Sequence, residues 1–115
     1  MKLSEHFSRS EFACKCGCGF DTVDAELILV LEEVRGTFHR PVVINSGSRC
    51  REYNAAIGGK PTSQHLLGRA ADIAIAGVDP LDIQRHIDAV YPDSYGLGRY
   101  TNFTHIDTRN KKARW

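Results

Sequence analysis

Two histidines and two carboxylates carry the most chemical information in this chain: His65, Asp72, His105 and Asp107. Imidazole nitrogen and carboxylate oxygen are both good zinc donors, with bonds of roughly 2.0–2.2 Å. Three protein ligands, His65, Asp72 and His105, leave a fourth position for water, which separates a catalytic zinc from a closed structural one. The set therefore points to metal-assisted hydrolysis. Taken singly, a histidine on a strand is more often a packed or surface residue. Asp72 is harder to dismiss, because a carboxylate among alanine and isoleucine is costly to bury without a partner. His6, His39 and His86 have no comparable context and read as surface residues.

These donors need elements to position them. Arg69 to Ala76 alternates, with Ala71, Ile73 and Ile75 on one side of a strand and Ala70, Asp72 and Ala74 on the other. Asp72 then lies opposite the isoleucines, beside small residues that leave room for a ligand. Gly96 to Tyr100 and Phe103 to Thr108 read as a hairpin around Thr101-Asn102, with Phe103, His105 and Asp107 on one face. His65 belongs to a loop that enters the Asp72 strand through Gly68. Upstream, Pro41 to Asn45 reads as a β-branched strand that leads through Ser46-Gly47-Ser48 to Arg49.

Helices supply the other layer. Asp24 is a cap for a helix whose Leu27, Leu31, Val34 and Phe38 form a buried stripe, with Gly36 as its stop. Asp79-Pro80 starts a second helix with Ile83, Ile87 and Val90 inward, ended by Tyr91-Pro92. Glu52 to Ile57 forms a short helix stopped by Gly58-Gly59. Residues 1–20 are an irregular arm pinned by Phe7, Phe12 and Phe20, and residues 110–115 are a solvated basic tail. The fold class is α+β: a small antiparallel sheet with two main helices packed on one face.

Cys14, Cys16, Cys18 and Cys50 are the only cysteines. The first three alternate with other residues, which is not the usual C-x2-C knuckle. Three readings stand: a structural zinc on all four thiolates, one or two disulfides, or four free thiols.

Composition bounds the rest. A chain of 115 residues, 42% hydrophobic and 25% charged, suits one domain spanning residues 1–115. A net charge of +1 gives no field for nucleic acid or an acidic membrane. No apolar stretch approaches the ~20 residues that span a bilayer. The opening Met1-Lys2-Leu3-Ser4-Glu5-His6 lacks the apolar region of a signal peptide, so the expectation is a protein made in the cytoplasm; a monomer is expected as well.

The run Ser63-x-His65-x-x-Gly68-x-Ala70-x-Asp72 resembles the S-x-H-x-x-G-x-A-x-D signature of the zinc D-Ala-D-Ala peptidases, carboxypeptidases and endopeptidases of peptidoglycan stem peptides that include phage endolysins. Ser46-Gly47-Ser48-Arg49 resembles the family's S-G-x-R segment. Tyr53-Asn54-Ala55-Ala56-x-Gly58-Gly59 is similar to the next segment in the short single-domain branch of the family. The resemblance runs from about Phe7 to Arg109. It implies zinc held by His65, Asp72 and His105, with Arg49 on a substrate carboxylate or on the oxyanion at the scissile carbonyl, and Ser63 supporting the metal loop. It implies the same small α+β fold.

One departure matters. Many members carry Glu or Asp three residues before the last zinc histidine, as general base; here that position is Asn102. Other relatives carry a histidine two residues before it; here it is Phe103. Asp107, the nearest carboxylate by sequence, is the candidate for base or for orienter of His105. The resemblance implies a zinc-dependent stem-peptide hydrolase, a phage or prophage lysis protein that reaches the wall after release or is carried by a virion. A zinc-containing wall-binding module without catalysis is the alternative, favoured by Asn102. A purely structural virion component fits less well, since it needs no open three-ligand site.

Overall fold

The computed structural model describes residues 1–115, and its elements follow local sequence signals closely. Helix α1, Ala25–Phe38, starts where the Asp24 side chain accepts a hydrogen bond from the Leu27 amide. Helix α3, Pro80–Val90, starts the same way at Asp79, with proline in the first turn. Between them lie strand β1, Val43–Ser46, the short helix α2, Arg51–Ala56, and strand β2, Ala70–Ala74. Strands β3, Gly96–Arg99, β4, Thr104–Asp107, and β5, Ala113–Arg114, complete the chain.

The five strands form one sheet in the order β1-β2-β4-β3-β5. The first four pair antiparallel, as the hairpin and alternation patterns require. Period-two alternation then sorts the two faces. Ala71 and Ile73 of β2, Leu97 of β3 and Ile106 of β4 are buried in a core with Leu27, Leu31 and Val34 of α1 and Ile83 and Ile87 of α3. The other face of β2 and β4 carries Asp72, His105 and Asp107. Phe7 and Phe12 enter the same core and fix the N-terminal arm to it.

Several expectations change. Val90 of α3 faces outward, 41% exposed, and Phe20, only half-buried, does not join Phe7 and Phe12 in the core. Gly36 does not stop α1: the helix continues to Phe38 and ends at His39, which adopts the left-handed conformation (φ 55°) and bonds back to the Arg35 carbonyl. The sheet is mixed rather than antiparallel, because β5 joins β3 in parallel. Residues 110–115 are therefore not simply a solvated basic tail. The Arg114 guanidinium pairs with Asp88 at 2.7 Å and donates to the carbonyls of Tyr91 and Tyr95, both at 2.8 Å. Carbonyls left over at the end of α3 make that site attractive to a cation. Lys111 and Lys112 do remain exposed.

The arm has a polar anchor as well as its two phenylalanines. The Glu32 carboxylate of α1 accepts hydrogen bonds from the Ser4 hydroxyl and, at 2.8 Å, the His6 amide, and lies 2.7 Å from His6 Nδ1. Burial alone would raise its pKa; the Ser4 and His6 hydrogen bonds outweigh burial and lower it. A carboxylate depressed in the folded state stabilises the fold above its ordinary value, near 4.5, and loses that contribution as pH falls below it. Glu32→Ala is expected to cost about 1–2 kcal/mol at neutral pH. Urea denaturation of both proteins across the acid range checks this: the gap between them should narrow as pH falls, and a gap independent of pH would contradict the anchor.

Candidate metal centre

His65 sits in a 3₁₀ turn, Gln64–Leu67, that sequence patterning reads only as loop. The turn is capped by Ser63, whose hydroxyl accepts from the His65 amide at 3.2 Å. It closes at Gly68, whose φ of 69° is left-handed and suits glycine. The imidazole is 2% exposed. Its Nδ1 lies 2.6 Å from the Gly47 carbonyl, which can only accept, so Nδ1 carries the proton. In the neutral ring Nε2 then presents a lone pair. That atom is buried and has no hydrogen-bond partner. It lies 3.3 Å from Asp72 Oδ1, close enough for charge attraction but not aligned as a hydrogen bond.

Asp72 comes from the centre of β2 and is paired directly across the sheet with His105 of β4. Its Oδ1 lies 2.9 Å from His105 Nδ1. The other ring nitrogen, His105 Nε2, is 2.7 Å from Asp107 Oδ2. An ionised Asp107 only accepts, so Nε2 donates, and a neutral His105 would turn the Nδ1 lone pair toward another acceptor. Two acceptors facing one another demand a cation between them or a proton on the ring. The pKa directions say the same. Burial opposes charge on both groups, yet the flanking carboxylates raise His105 and the two histidines hold Asp72 well below the usual carboxylate range.

The residues fit zinc. Nε2 of His65, Nδ1 of His105 and Oδ1 of Asp72 are the donors that face one another, and one ligand atom from each residue lies within 4.8 Å of the others. The 3.3 Å separation meets the edge of about 3.3 Å expected for tetrahedral N/O ligands at ~2.0–2.1 Å, and the 2.9 Å separation is shorter than it. A buried imidazole nitrogen with a fixed tautomer and no partner is what a ligand looks like before its ion is counted.

Around these three lies a second ring of contacts. Arg49 NH2 donates to Asp72 Oδ2 at 3.2 Å, the oxygen that does not face the histidines. Its Nε donates to Ser46 Oγ at 3.0 Å and its NH1 to Asn54 Oδ1 at 3.2 Å, so β1 and α2 aim the guanidinium together. Asp107 is fully buried. Arg109 grips it with two parallel bonds, Nε to Oδ1 at 2.8 Å and NH2 to Oδ2 at 2.7 Å. Trp115 packs on the His105 ring, centroids 5.1 Å apart, and the Arg109 guanidinium lies over the indole at 4.9 Å. Gly96 and Gly98 make room: a Cβ at Gly96 would strike the Asp107 carboxylate, and one at Gly98 would come within 2.7 Å of the Trp115 indole.

Sequence reasoning brings His65, Asp72, His105, Asp107, Arg49 and Ser63 to one place, and the structure puts all six there. It misses Gly47, Asn54, Arg109 and Trp115. Arg109 had a signal, since it continues the alternation of His105 and Asp107. A backbone carbonyl such as that of Gly47 leaves no trace in residue type. A cleft of about 420 Å³ opens beside the centre, lined by Arg49, Arg51, Ser63 and Phe20 but by neither imidazole.

His65→Ala is expected to abolish zinc binding at this centre. Asp107→Asn keeps the shape of the second carboxylate but weakens its hold on His105, and should lower zinc affinity there by about 10–100-fold. Competition with a chromophoric chelator measures both. An Asp107→Asn protein with unchanged affinity would show that the contact to His105 does not tune the ligand.

A sequence profile of the family described as peptidase M15 matches residues 5–107, nearly the whole chain. No curated protein matches it. The matched span contains His65, Asp72, His105 and Arg49. The chain belongs to the peptidase M15 family, peptidases of the zinc metallopeptidase kind.

Proposed function

We propose that the protein is a zinc-dependent hydrolase of peptidoglycan stem peptides, acting as a D-Ala-D-Ala carboxypeptidase or as an endopeptidase. The observation that carries this is the partnerless, buried Nε2 of His65 facing Asp72 and His105 within a peptidase family match. His65, Asp72 and His105 would hold the ion. When bound, zinc supplies Lewis acidity and acidifies water.

The remaining work falls to groups of the chain itself. Arg49 is mostly buried, permanently charged and held at three nitrogens by Ser46, Asn54 and Asp72. Its other N–H groups are free to receive a substrate carboxylate or the oxyanion that develops at the scissile carbonyl. Because those contacts fix the guanidinium beforehand, little reorganisation accompanies charge development. The adjoining cleft adds Arg51 to Arg49, two cations that suit the carboxylate-bearing end of a stem peptide. Asp107 orients His105 in this reading and does not act as base, since Arg109 and His105 occupy both of its oxygens. Ser63 supports the metal turn by capping it. We place the enzyme in phage or prophage lysis, made in the cytoplasm and active on the wall after release or from a virion, as a monomer.

A second reading keeps a specific observation in its favour. Asn102 cannot accept a proton, and Asp107 is sealed from solvent. A zinc-containing module that binds stem peptides without cutting them satisfies both facts.

One experiment separates the readings. Zinc-loaded protein is incubated with purified peptidoglycan, and newly released amines and peptide masses are measured. The enzyme reading expects new amines, with the masses naming the bond; retention on the wall with no new amine supports the binding module. Arg49→Ala should keep its zinc and lose turnover by about 10²–10³, the cost typical of one oxyanion donor. Full activity in that variant would remove Arg49 from the chemistry.

A further inference from the structure

The second convergence of donors lies outside the centre described above. Cys14, Cys16, Cys18 and Cys50 bring four sulfurs within 4.8 Å of one another. Cys14 Sγ lies 3.5 Å from Cys16 Sγ and 3.8 Å from Cys50 Sγ, and Cys16 Sγ lies 3.6 Å from Cys50 Sγ. Four thiolates around zinc at ~2.3 Å make a tetrahedron whose edge is about 3.8 Å. The three spacings among Cys14, Cys16 and Cys50 sit close to that edge, and Cys18 Sγ lies within 4.8 Å of all three. A disulfide needs only two sulfurs near each other and gives no reason for four to share one centre. We propose that these cysteines form a second metal site, a closed thiolate site for structural zinc.

The backbone is arranged as a thiolate site requires. The Cys50 amide donates to Cys14 Sγ, the Phe20 amide to Cys18 Sγ and the Tyr53 amide to Cys50 Sγ, each at 3.4 Å. Amide donors to sulfur offset charge on thiolates and hold them in position. The segment that carries three of the ligands is wound tightly. The Gly17 amide bonds to the Cys14 carbonyl, the Cys14 amide to the Phe20 carbonyl, and Gly17 and Gly19 take left-handed φ values of 83° and 91°. Four thiolates exceed the charge of one divalent ion, and Lys15, Arg49 and Arg51 flank the ligands in the chain. Cys16 and Cys18 are exposed, so an ion can enter from solvent.

All four positions of such an ion are filled by protein, which suits it to holding structure and not to hydrolysis. What it holds is specific. Cys14 and Cys50 join the N-terminal arm to the residue next to Arg49. The same contact continues through the Ser48 amide, which donates to the Phe12 carbonyl at 2.8 Å. Phe20 and Cys50 both line the cleft beside Arg49. The thiolate site thus clamps one wall of the cleft to the arm, and it does so whatever reaction the first centre performs.

The test reads metal and thiols, not turnover. Protein purified reduced, with zinc and without chelator, should contain about two zinc ions per chain, and His65→Ala should retain about one. Cobalt loaded into His65→Ala should give the near-ultraviolet charge-transfer absorption of thiolate ligands. Thiol reagent should react slowly with the loaded protein and fast after chelation. Cys16→Ser/Cys18→Ser in the otherwise native chain should lose the thiolate signature while keeping metal at the histidine centre. The cobalt spectrum of His65→Ala needs no cysteine variant, so it decides the matter even where that double variant does not fold. A His65→Ala protein that binds no metal, with thiols that react freely or are oxidised in pairs by mass spectrometry, would overturn the proposal.

Discussion

A single buried carboxylate organises this protein. Asp72 is 8% exposed, lies in the middle of the sheet and has a negative charge that its surroundings must answer. An ionised group taken out of water costs several kcal/mol unless it is paired and hydrogen-bonded. Three elements supply the answer: His65 from a turn, His105 from the next strand and Arg49 from beyond β1. Each shares one of the two carboxylate oxygens. The division leaves Oδ1 for the histidine side and Oδ2 for the guanidinium, so one residue connects the candidate metal donors to Arg49.

The sheet exists to hold that geometry. Pairing of β2 with β4 sets Asp72 opposite His105 and Ala70 opposite Asp107. A slip of one residue would send Asp72 into the hydrocarbon core and Ile73 onto the open face, so the core residues enforce the register that the site uses. The β1–β2 ladder shifts between Ile44 and Ser46, and the shift brings Ser46 level with Asp72, where its hydroxyl can hold Arg49. On the far side, the glycines of β3 give up side chains so that the Asp107–Arg109 pair and Trp115 can lie close to the strand. Stability and chemistry are therefore not separable along β2, β3 and β4.

Much of this is legible in residue order, for physical reasons. His65 and Asp72 fall in one motif, and His105 lies 33 residues beyond it; the residue types are themselves the chemistry. The alternation of β2 and β4 states which side chains share a face. Asp24 and Asp79-Pro80 announce helix starts through local hydrogen bonding. The illegible part is long-range or carried by backbone. Nothing in the type of Gly47 reveals that its carbonyl fixes the His65 tautomer. The parallel pairing of β5 with β3 joins distant segments, and so do the contacts of Arg114 with Asp88 and the Tyr91 carbonyl at the end of α3. The end of α1 departs from the local signal: running on to Phe38 packs that ring against the core and against His86 of α3, which offsets the cost of glycine at position 36, about 1 kcal/mol.

The two donor clusters differ in chemistry as their geometry requires. Imidazole and carboxylate leave a borderline-soft ion electrophilic and, with three ligands, open; four thiolates satisfy it fully and donate more charge. The chain separates the two clusters by the shortest route available, placing Arg49 and Cys50 side by side. Arg49 looks inward to Asp72, while Cys50 looks outward to Cys14 and Cys16. A peptide bond between them means that whatever fixes Cys50 also fixes the origin of the Arg49 side chain. A long, flexible cation gains most from this, because each rotamer it is denied in advance is ordering that substrate binding need not supply.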